Sequence, residues 1–330
     1  MQRQDRIATH LRHSAGLLAG RPLAALLLCL SGWVLMPTPA LAGGITAVYI
    51  PADLSTVPSD PGLWSKVPET VVPLLAQPMI VPRPKITTTH EVKVQAIHDG
   101  RWIAFRLSWV DSERSEGGAL GKYSDGCAIQ FPGRPGPVPP PIFMGMKDNP
   151  VHILHWRAQY QVDREQGLKT TQDYYPNMQI DMYPMEYNDM GMISSVTNGD
   201  REVYSPGLAA GNPQSYRKLR GVDEIIAEGF GSSTIAQNAM ALGAGEWKDG
   251  RWTVVITRPL ARENGSVLLE GSDTWLGFAI WQGGKDEVGS RKSVTMSWTP
   301  LHIDLGTSSD KPSGNSGGNE PAKAFSTGKE

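Results

Sequence analysis

The sequence predicts a mainly β protein: an antiparallel β-sandwich with a long irregular insertion and few short helices. Three observations carry that reading. Val92, Val94 and Ala96 alternate with polar residues up to Asp99-Gly100, and Ile103, Phe105, Leu107 and Trp109 share one face of the return strand, the pattern of a tight hairpin. The same device recurs in "EWKDGRWTVVITRPL", with Asp249-Gly250 at the turn. Short aromatic and β-branched runs bounded by Gly, Pro and Asp fill much of the remainder, and helix-period patterns are scarce. The repeated "DGRW" is good hairpin chemistry and does not require an internal duplication.

At the N-terminus, Arg3, Arg6, Arg12 and Arg21 precede a 14-residue apolar run from Leu23 to Met36, followed by Ala40-Leu41-Ala42. A basic region, an apolar region and a small-residue cleavage site make residues 1–42 a signal peptide. The run falls short of the roughly 20 residues that span a bilayer as a helix. Export places the mature chain in the periplasm or another extracytoplasmic compartment. Cleavage removes four Arg and one Asp from a chain with 31 basic and 33 acidic residues, leaving a net charge near −5. An acidic exported protein without a Lys/Arg run is a poor nucleic-acid ligand. Cys29 leaves with the leader, so Cys127 remains alone: an intrachain disulfide, a cysteine metal site and covalent c-type haem attachment are all excluded.

A sandwich domain is expected over 43–305. Besides the two hairpins, strands are expected at "ITAVYI" (45–50), "CAIQF" (127–131), "VHILHWRA" (151–158), "TWLGFAIW" (274–281) and "SVTMSW" (293–298). Residues 159–245 read as the insertion: "TQDYYPNMQIDMYPMEYNDMGM" carries five methionines and four tyrosines without a clean period, and a connection of that length is usually functional or a partner surface. From 306 to 330 the chain is Gly/Ser-rich, low in complexity and expected to be disordered.

Catalytic signatures are missing. There is no HExxH or P-loop. His152 and His155, three apart in a strand, face opposite ways and cannot grip one metal. Asp181, Glu186 and Asp189 lie in the insertion at no fixed pairing distance. What stands out is soft and basic. Met144 and Met146 sit in a Pro/Gly-rich loop before a buried strand, and Lys292 precedes a late strand, placed to point inward from the rim of the sandwich. A thioether is a soft iron ligand, and a lysine amine can ligate once deprotonated, which burial favours. One of each across an apolar slot would suit a low-spin haem, although packing or solvation is the ordinary fate of an isolated methionine or lysine. Trp102, Trp109, Trp156, Trp252 and Trp281 would suit sugar stacking, but they share strand faces with aliphatics, as core residues do.

Six ordered segments carry a resemblance: "DPGLWSKVPETVVPLLAQ" (60–77), "VKVQAIHDGRWIAFRLSWVD" (92–111), "DGCAIQFP" (125–132), "FMGMKDNPVHILHWRA" (143–158), "WKDGRWTVVITRPL" (247–260) and "FAIWQGGKDEVGSRKSVTMSWTPL" (278–301). The chain resembles the haem-b-binding gamma subunits of the type II dimethyl sulfoxide reductase family, which includes ethylbenzene dehydrogenase, dimethyl sulfide dehydrogenase, selenate and chlorate reductases and nitrite oxidoreductase. The resemblance implies a β-sandwich holding one non-covalent haem b between a methionine, matched by Met144 with Met146 as the alternative, and a lysine, matched by Lys292. Arg291 beside it is a candidate partner for a haem propionate. It further implies a non-catalytic electron-transfer subunit. Molybdenum and iron–sulfur cofactors belong to partner subunits, and an external carrier such as cytochrome c exchanges electrons with the haem. In length the chain is nearest the nitrite oxidoreductase branch. The alternatives are an exported binding module for carbohydrate or a small ligand, or a structural subunit without haem.

Mass spectrometry of the chain recovered after export is expected to give Gly43 as its first residue. Retention of residues 1–42 would mean an anchor in place of a cleaved leader.

Overall fold

The computed structural model describes residues 43–167, 171–177, 220–236, 238–261, 266 and 268–306. The leader, the tail beyond 306, most of the insertion with Asp181, Glu186 and Asp189, and the methionines from Met178 to Met192 lie outside the described residues. In chain order the strands are β1 (Ile45–Tyr49), β2 (Thr70–Pro73), β3 (Leu75–Ala76), β4 (Glu91–His98), β5 (Trp102–Val110), β6 (Gly126–Pro132) and β7 (Val151–Arg157). Two helices follow, α1 (Ala158–Gln166) and α2 (Thr171–Tyr174). Then come β8 (Val222–Ala227), β9 (Thr234–Ile235), β10 (Leu242–Lys248), β11 (Arg251–Pro259), β12 (Asp273–Trp281), β13 (Ser293–Val294) and β14 (Thr299–Ile303).

The strands form one open path, β10-β11-β5-β4-β1-β14-β12-β6-β7-β8-β9, folded into two layers. The fold turns at β12. Its first half, Asp273 to Leu276, pairs with β14, and its second half, Gly277 to Trp281, pairs with β6. A strand that changes partners along its length is how a continuous sheet becomes a sandwich.

Between the layers lies an apolar cluster drawn from both: Val94, Phe105, Leu107, Trp109, Trp252 and Ile256 from one side, Cys127, Ile129, Phe131, Leu154 and Trp156 from the other. Trp109, Trp156 and Trp252 are at most 2% exposed, so none can present a stacking face to a sugar. Trp156 meets Trp252 edge-on at 5.1 Å, and Trp109 stacks on Trp252 at 6.4 Å. The first layer is also covered outside, where Leu54, Trp64 and Val67 pack on Ile97, Ala104 and Val255.

The sheet is mixed where an antiparallel one was expected: β1 runs parallel to both neighbours, β4 and β14. A parallel neighbour requires a crossover, and residues 50–90 supply it, carrying Leu54, Trp64 and Val67 across the outer face. The two Asp-Gly turns also differ. Asp249 and Gly250 both have positive φ (51° and 72°), as a two-residue hairpin loop requires. At Asp99-Gly100 only Gly100 is positive, and the Asp99 carboxylate accepts the Arg101 and Trp102 N–H groups instead.

Two expected boundaries move. The irregular stretch is shorter than 159–245, because α1 continues directly from β7 and the sheet resumes at β8, which pairs with β7 from Val222. β8 breaks the apolar pattern with Asp223 and Glu224, both buried and hydrogen-bonded, to Tyr160 and to the Ala241 N–H respectively. The strand expected over 293–298 holds only at Ser293 and Val294. The chain then bends, and Thr299–Ile303 forms the strand that pairs with β1 and β12.

Asp125, at the start of β6, ties the layers together. It accepts the Ser115 N–H (2.6 Å), the Trp252 indole N–H (2.9 Å) and the Gly283 N–H (2.8 Å). Neighbouring Asp111 is buried, and desolvation together with the Asp125 charge pushes its pKa up to about 7. The folded state therefore holds a proton on Asp111 that the unfolded chain releases near pH 4, so this group's contribution to stability is lost as pH rises through about 7. Asp111→Asn keeps the acceptor for the Glu113 N–H and removes the titration. Relative to wild type, its melting temperature is expected to climb by a few degrees between pH 4.5 and pH 8. A difference that stays flat across that range in thermal melts would mean that Asp111 is ionised in the fold.

Candidate functional site

The outer face of the second layer carries the site. Along β6, β7 and β12, positions alternate with those of the central core: Ala128 and Gln130, Ile153 and His155, and Ala279 and Trp281 face outward. Together with Ile225, Val294 and Lys292 they form the floor and one wall of a cavity of about 360 Å³, roofed by Ile142, Phe143, Met144 and Phe230. The cavity is largely apolar, with few polar groups, in the manner of a cofactor pocket. It lies outside the second layer, whereas the sequence suggested an inward-pointing lysine in a slot of the sandwich.

Met144 and Lys292, 148 positions apart in the chain, both line this cavity. Met146 does not: it is 51% exposed and closes a small bridge with Asn149. The loop that brings Met144 in is held at several points. The Gln130 amide donates to the Ile142 carbonyl (2.7 Å), the Trp298 indole N–H to the Pro140 carbonyl (2.7 Å), and the Gly229 N–H to the Met144 carbonyl (2.8 Å). Met144 itself sits at φ 67°, a left-handed conformation unusual for a long side chain, followed by Gly145 at φ 70°. This double left-handed turn directs the loop back over the sheet. It explains why a methionine stands at a loop mouth: the side chain packs on the apolar floor with Phe143, Ile225 and Trp298.

Lys292 comes in from the opposite end of the sequence, one residue before β13. Its carbonyl accepts the Gln77 N–H at 3.1 Å, which fixes the backbone beneath the cavity. Its Nζ lies 4.7 Å from the centre of the Trp281 ring, and among the described residues no carboxylate pairs with it. Burial pushes its pKa down to about 8. Behind Trp281 the His155 ring packs at 4.7 Å and a 30° tilt, and the Trp281 indole N–H donates to the Gly289 carbonyl at 3.0 Å. Burial and the nearby Arg157 and Lys292 charges lower the His155 pKa, so this ring is neutral.

His152 points the other way. It meets Glu224 at 3.2 Å and Arg258 at 3.3 Å in a buried polar cluster, with Arg258 itself pushed down to about 9 by burial. Arg291 lines no part of the cavity. Its Nε donates to the Asp286 carbonyl at 2.7 Å and its guanidinium lies 5.6 Å from the Tyr123 ring. Trp281 and His155, which bracket the site, were read from sequence as packing residues. Both do pack; what the sequence lacked was the second buried face.

A haem fits this donor set. An apolar cavity, a thioether on its roof and an amine whose neutral form is favoured by burial are what a non-covalent, low-spin haem asks of a protein.

A model of the ethylbenzene dehydrogenase family matches residues 62–293. The chain belongs to that family. Among curated proteins it is 24% identical, over 83% of its length and 80% of the other's, to a Haloferax mediterranei protein named as a respiratory nitrate reductase heme subunit. It is 26% identical to the chlorate reductase gamma subunit of Ideonella dechloratans, over 73% of this chain and 77% of that one. With the dimethylsulfide dehydrogenase gamma subunit of Rhodovulum sulfidophilum it shares 25% identity over 73% and 74%. Family membership rests on the family match, which spans the segments from the first covering loop to β13. A family 9 carbohydrate binding module from Caldicellulosiruptor kristjanssonii superposes with a TM-score of 0.36 at 7% identity, covering 80% of this chain and 97% of that one, a likeness that bears on neither fold nor ligand.

The Met144 turn generates a prediction. A Cβ on Gly145 would stand 2.9 Å from the Asn149 carbonyl oxygen in a conformation that L residues avoid. Gly145→Ala should cost more than about 1 kcal/mol in chemical denaturation, whereas Met146→Ala should be near neutral. Equal stability of Gly145→Ala and wild type would show that the loop has another conformation available.

Proposed function

We propose that the cavity holds one non-covalent haem b with Met144 and Lys292 as axial ligands, and that the chain is the electron-transfer subunit of a molybdenum oxidoreductase complex. The observation that carries this is the convergence of those two side chains, 148 positions apart in the chain, on one apolar cavity. When bound, such a haem supplies reversible one-electron transfer at iron, with a potential that a thioether ligand tends to raise.

The chain's own residues do the rest. The loop around Met144 holds a sulfur over the sheet, and Trp281 holds the Lys292 amine within the cavity while it is protonated. Desolvation of Lys292 lowers the cost of losing that proton, which must go to solvent before the nitrogen can donate its pair. Phe143, Ile225, Ile153 and Val294 exclude water. With Met144 and Lys292 both holding the group, no open position would remain for substrate, and the chain would carry electrons without catalysing the substrate reaction. Its partners are a molybdenum catalytic subunit, an iron–sulfur subunit and an external carrier such as cytochrome c. Residues 1–42 direct the chain out of the cytoplasm, and the complex works there. The finer assignment, to the nitrite oxidoreductase type, rests on chain length. The names of the curated relatives, which differ in substrate, support the shared role of a haem or gamma subunit.

Optical spectra of the purified chain, oxidised and dithionite-reduced, test the reading. Wild type is expected to show a low-spin b-type spectrum that becomes high-spin or disappears in both Met144→Ala and Lys292→Ala, with Met146→Ala unchanged. A colourless wild type isolated with its partner subunits would overturn the proposal. A normal spectrum in Met144→Ala would overturn that ligand.

A further inference from the structure

Beside the cavity lies a second hollow of about 170 Å³ that shares His155, Trp281 and Gly289 with it. Its character is different. Lys122 and Arg157 line it, and both are exposed to solvent. Among the described residues neither cation has a carboxylate partner. The Arg157 guanidinium lies 5.3 Å from the Tyr160 ring, with its Nε 3.5 Å from the His155 ring nitrogen, so the side chain stands across the shared wall. The one acid bordering the hollow, Glu287, is committed elsewhere. It accepts the Thr88 hydroxyl (2.7 Å) and the Gln282 N–H (2.9 Å), and burial raises its pKa. At Gly289, on the shared wall, no atom lies within 4 Å of where a side chain would begin.

We propose that this hollow takes the carboxylate edge of the bound porphyrin, with Arg157 and Lys122 as the counter-ions. The inference rests on the haem reading above and adds the orientation of the ring. A haem is amphipathic: its iron-bearing centre belongs in the apolar cavity, and its two propionates belong with unpaired cations at a wet margin. Here those two environments share one wall. A guanidinium held by an aromatic ring is pre-organised for a carboxylate, and a charge-assisted pair of that kind is among the stronger hydrogen bonds a protein makes. Arg291, next to the lysine in sequence, lines neither hollow. Arg157 follows Trp156 and closes β7.

The test is to titrate the full chain, by absorbance, with haem b and with haem b dimethyl ester, which lacks the carboxylate charges. Wild type is expected to bind the free acid about tenfold or more tightly than the ester. Arg157→Ala and Lys122→Ala should each shrink that preference and Arg157→Lys should keep part of it, with ester affinity and the low-spin band unchanged, which also certifies the fold. A preference that survives in the Arg157→Ala/Lys122→Ala double variant, or that collapses in Arg291→Ala instead, would overturn the assignment. Equal wild-type affinity for the two porphyrins would remove only this inference, whereas binding of neither would remove the haem reading as well.

Discussion

Everything about the site depends on β12 changing layers. Its first four residues are hydrogen-bonded to β14 and its last five to β6, with Gly277 the first residue on the β6 side. Because side chains alternate along a strand, this crossing sends Phe278 and Ile280 into the central core and Ala279 and Trp281 to the far side of the second layer. Had β12 stayed paired with β14, Trp281 would have no β6 beside it and His155 no ring to pack against. The residues after β12 then fold back as β13 against the same strand, at Ala279 and Ile280, which is how Lys292 is returned over the Trp281 ring. One topological decision thus brings Ala279, Trp281 and Lys292 to the cavity.

Half-buried Lys292 differs from the buried acids and amide nearby in what it meets. Asp125, Glu224, Glu287 and Gln282 are all met by backbone N–H groups or side-chain partners, as buried polar groups must be. Lys292 has an aromatic face. A cation–π contact is worth about 0.5 to 2 kcal/mol, while withdrawing an ammonium from water costs several kcal/mol. Lys292 is half-buried and keeps part of its hydration, so the Trp281 face and the lowered pKa together mark an amine drawn toward apolar surroundings.

How much of this was legible in the sequence varied with how locally each feature is encoded. The hairpins were legible because Asp-Gly and strict alternation are short-range signals, and β4 with β5 and β10 with β11 stand where they were expected. β14 was missed because "TPLHI" carries a proline at its second position, Pro300, and only its pairing with β1 and β12 makes it a strand. β8 was missed because two buried acids interrupt its pattern. The parallel placement of β1 has no local signature at all, since it depends on a crossover of some forty residues. Met144 and Lys292 were named through resemblance, and the structure brings both to one cavity. The location of that cavity could not be read. In β6 and β7 both faces are buried, so "CAIQF" and "VHILHW" read as uniformly apolar strands, and a sequence cannot say which of two buried faces meets a core and which a ligand.

That ambiguity bears on the choice of groups around the iron. Of the levers a protein has on a haem, which are axial ligand, hydrogen bonding to the ligands, burial and macrocycle distortion, a haem held as proposed would meet the first and third. Among the described residues no hydrogen bond reaches the Lys292 amine, and the walls around Met144 are apolar. Burial would disfavour the extra positive charge of an oxidised iron as it disfavours the ammonium of Lys292, and a thioether from Met144 would act in the same direction. Arg157 and Lys122, left without protein carboxylates, lie where charge can be balanced at the margin of the cavity while its centre stays dry. The division follows from the fold: the dry part is floored by strands covered on both sides, and the charged part begins where β7 ends and the chain meets solvent.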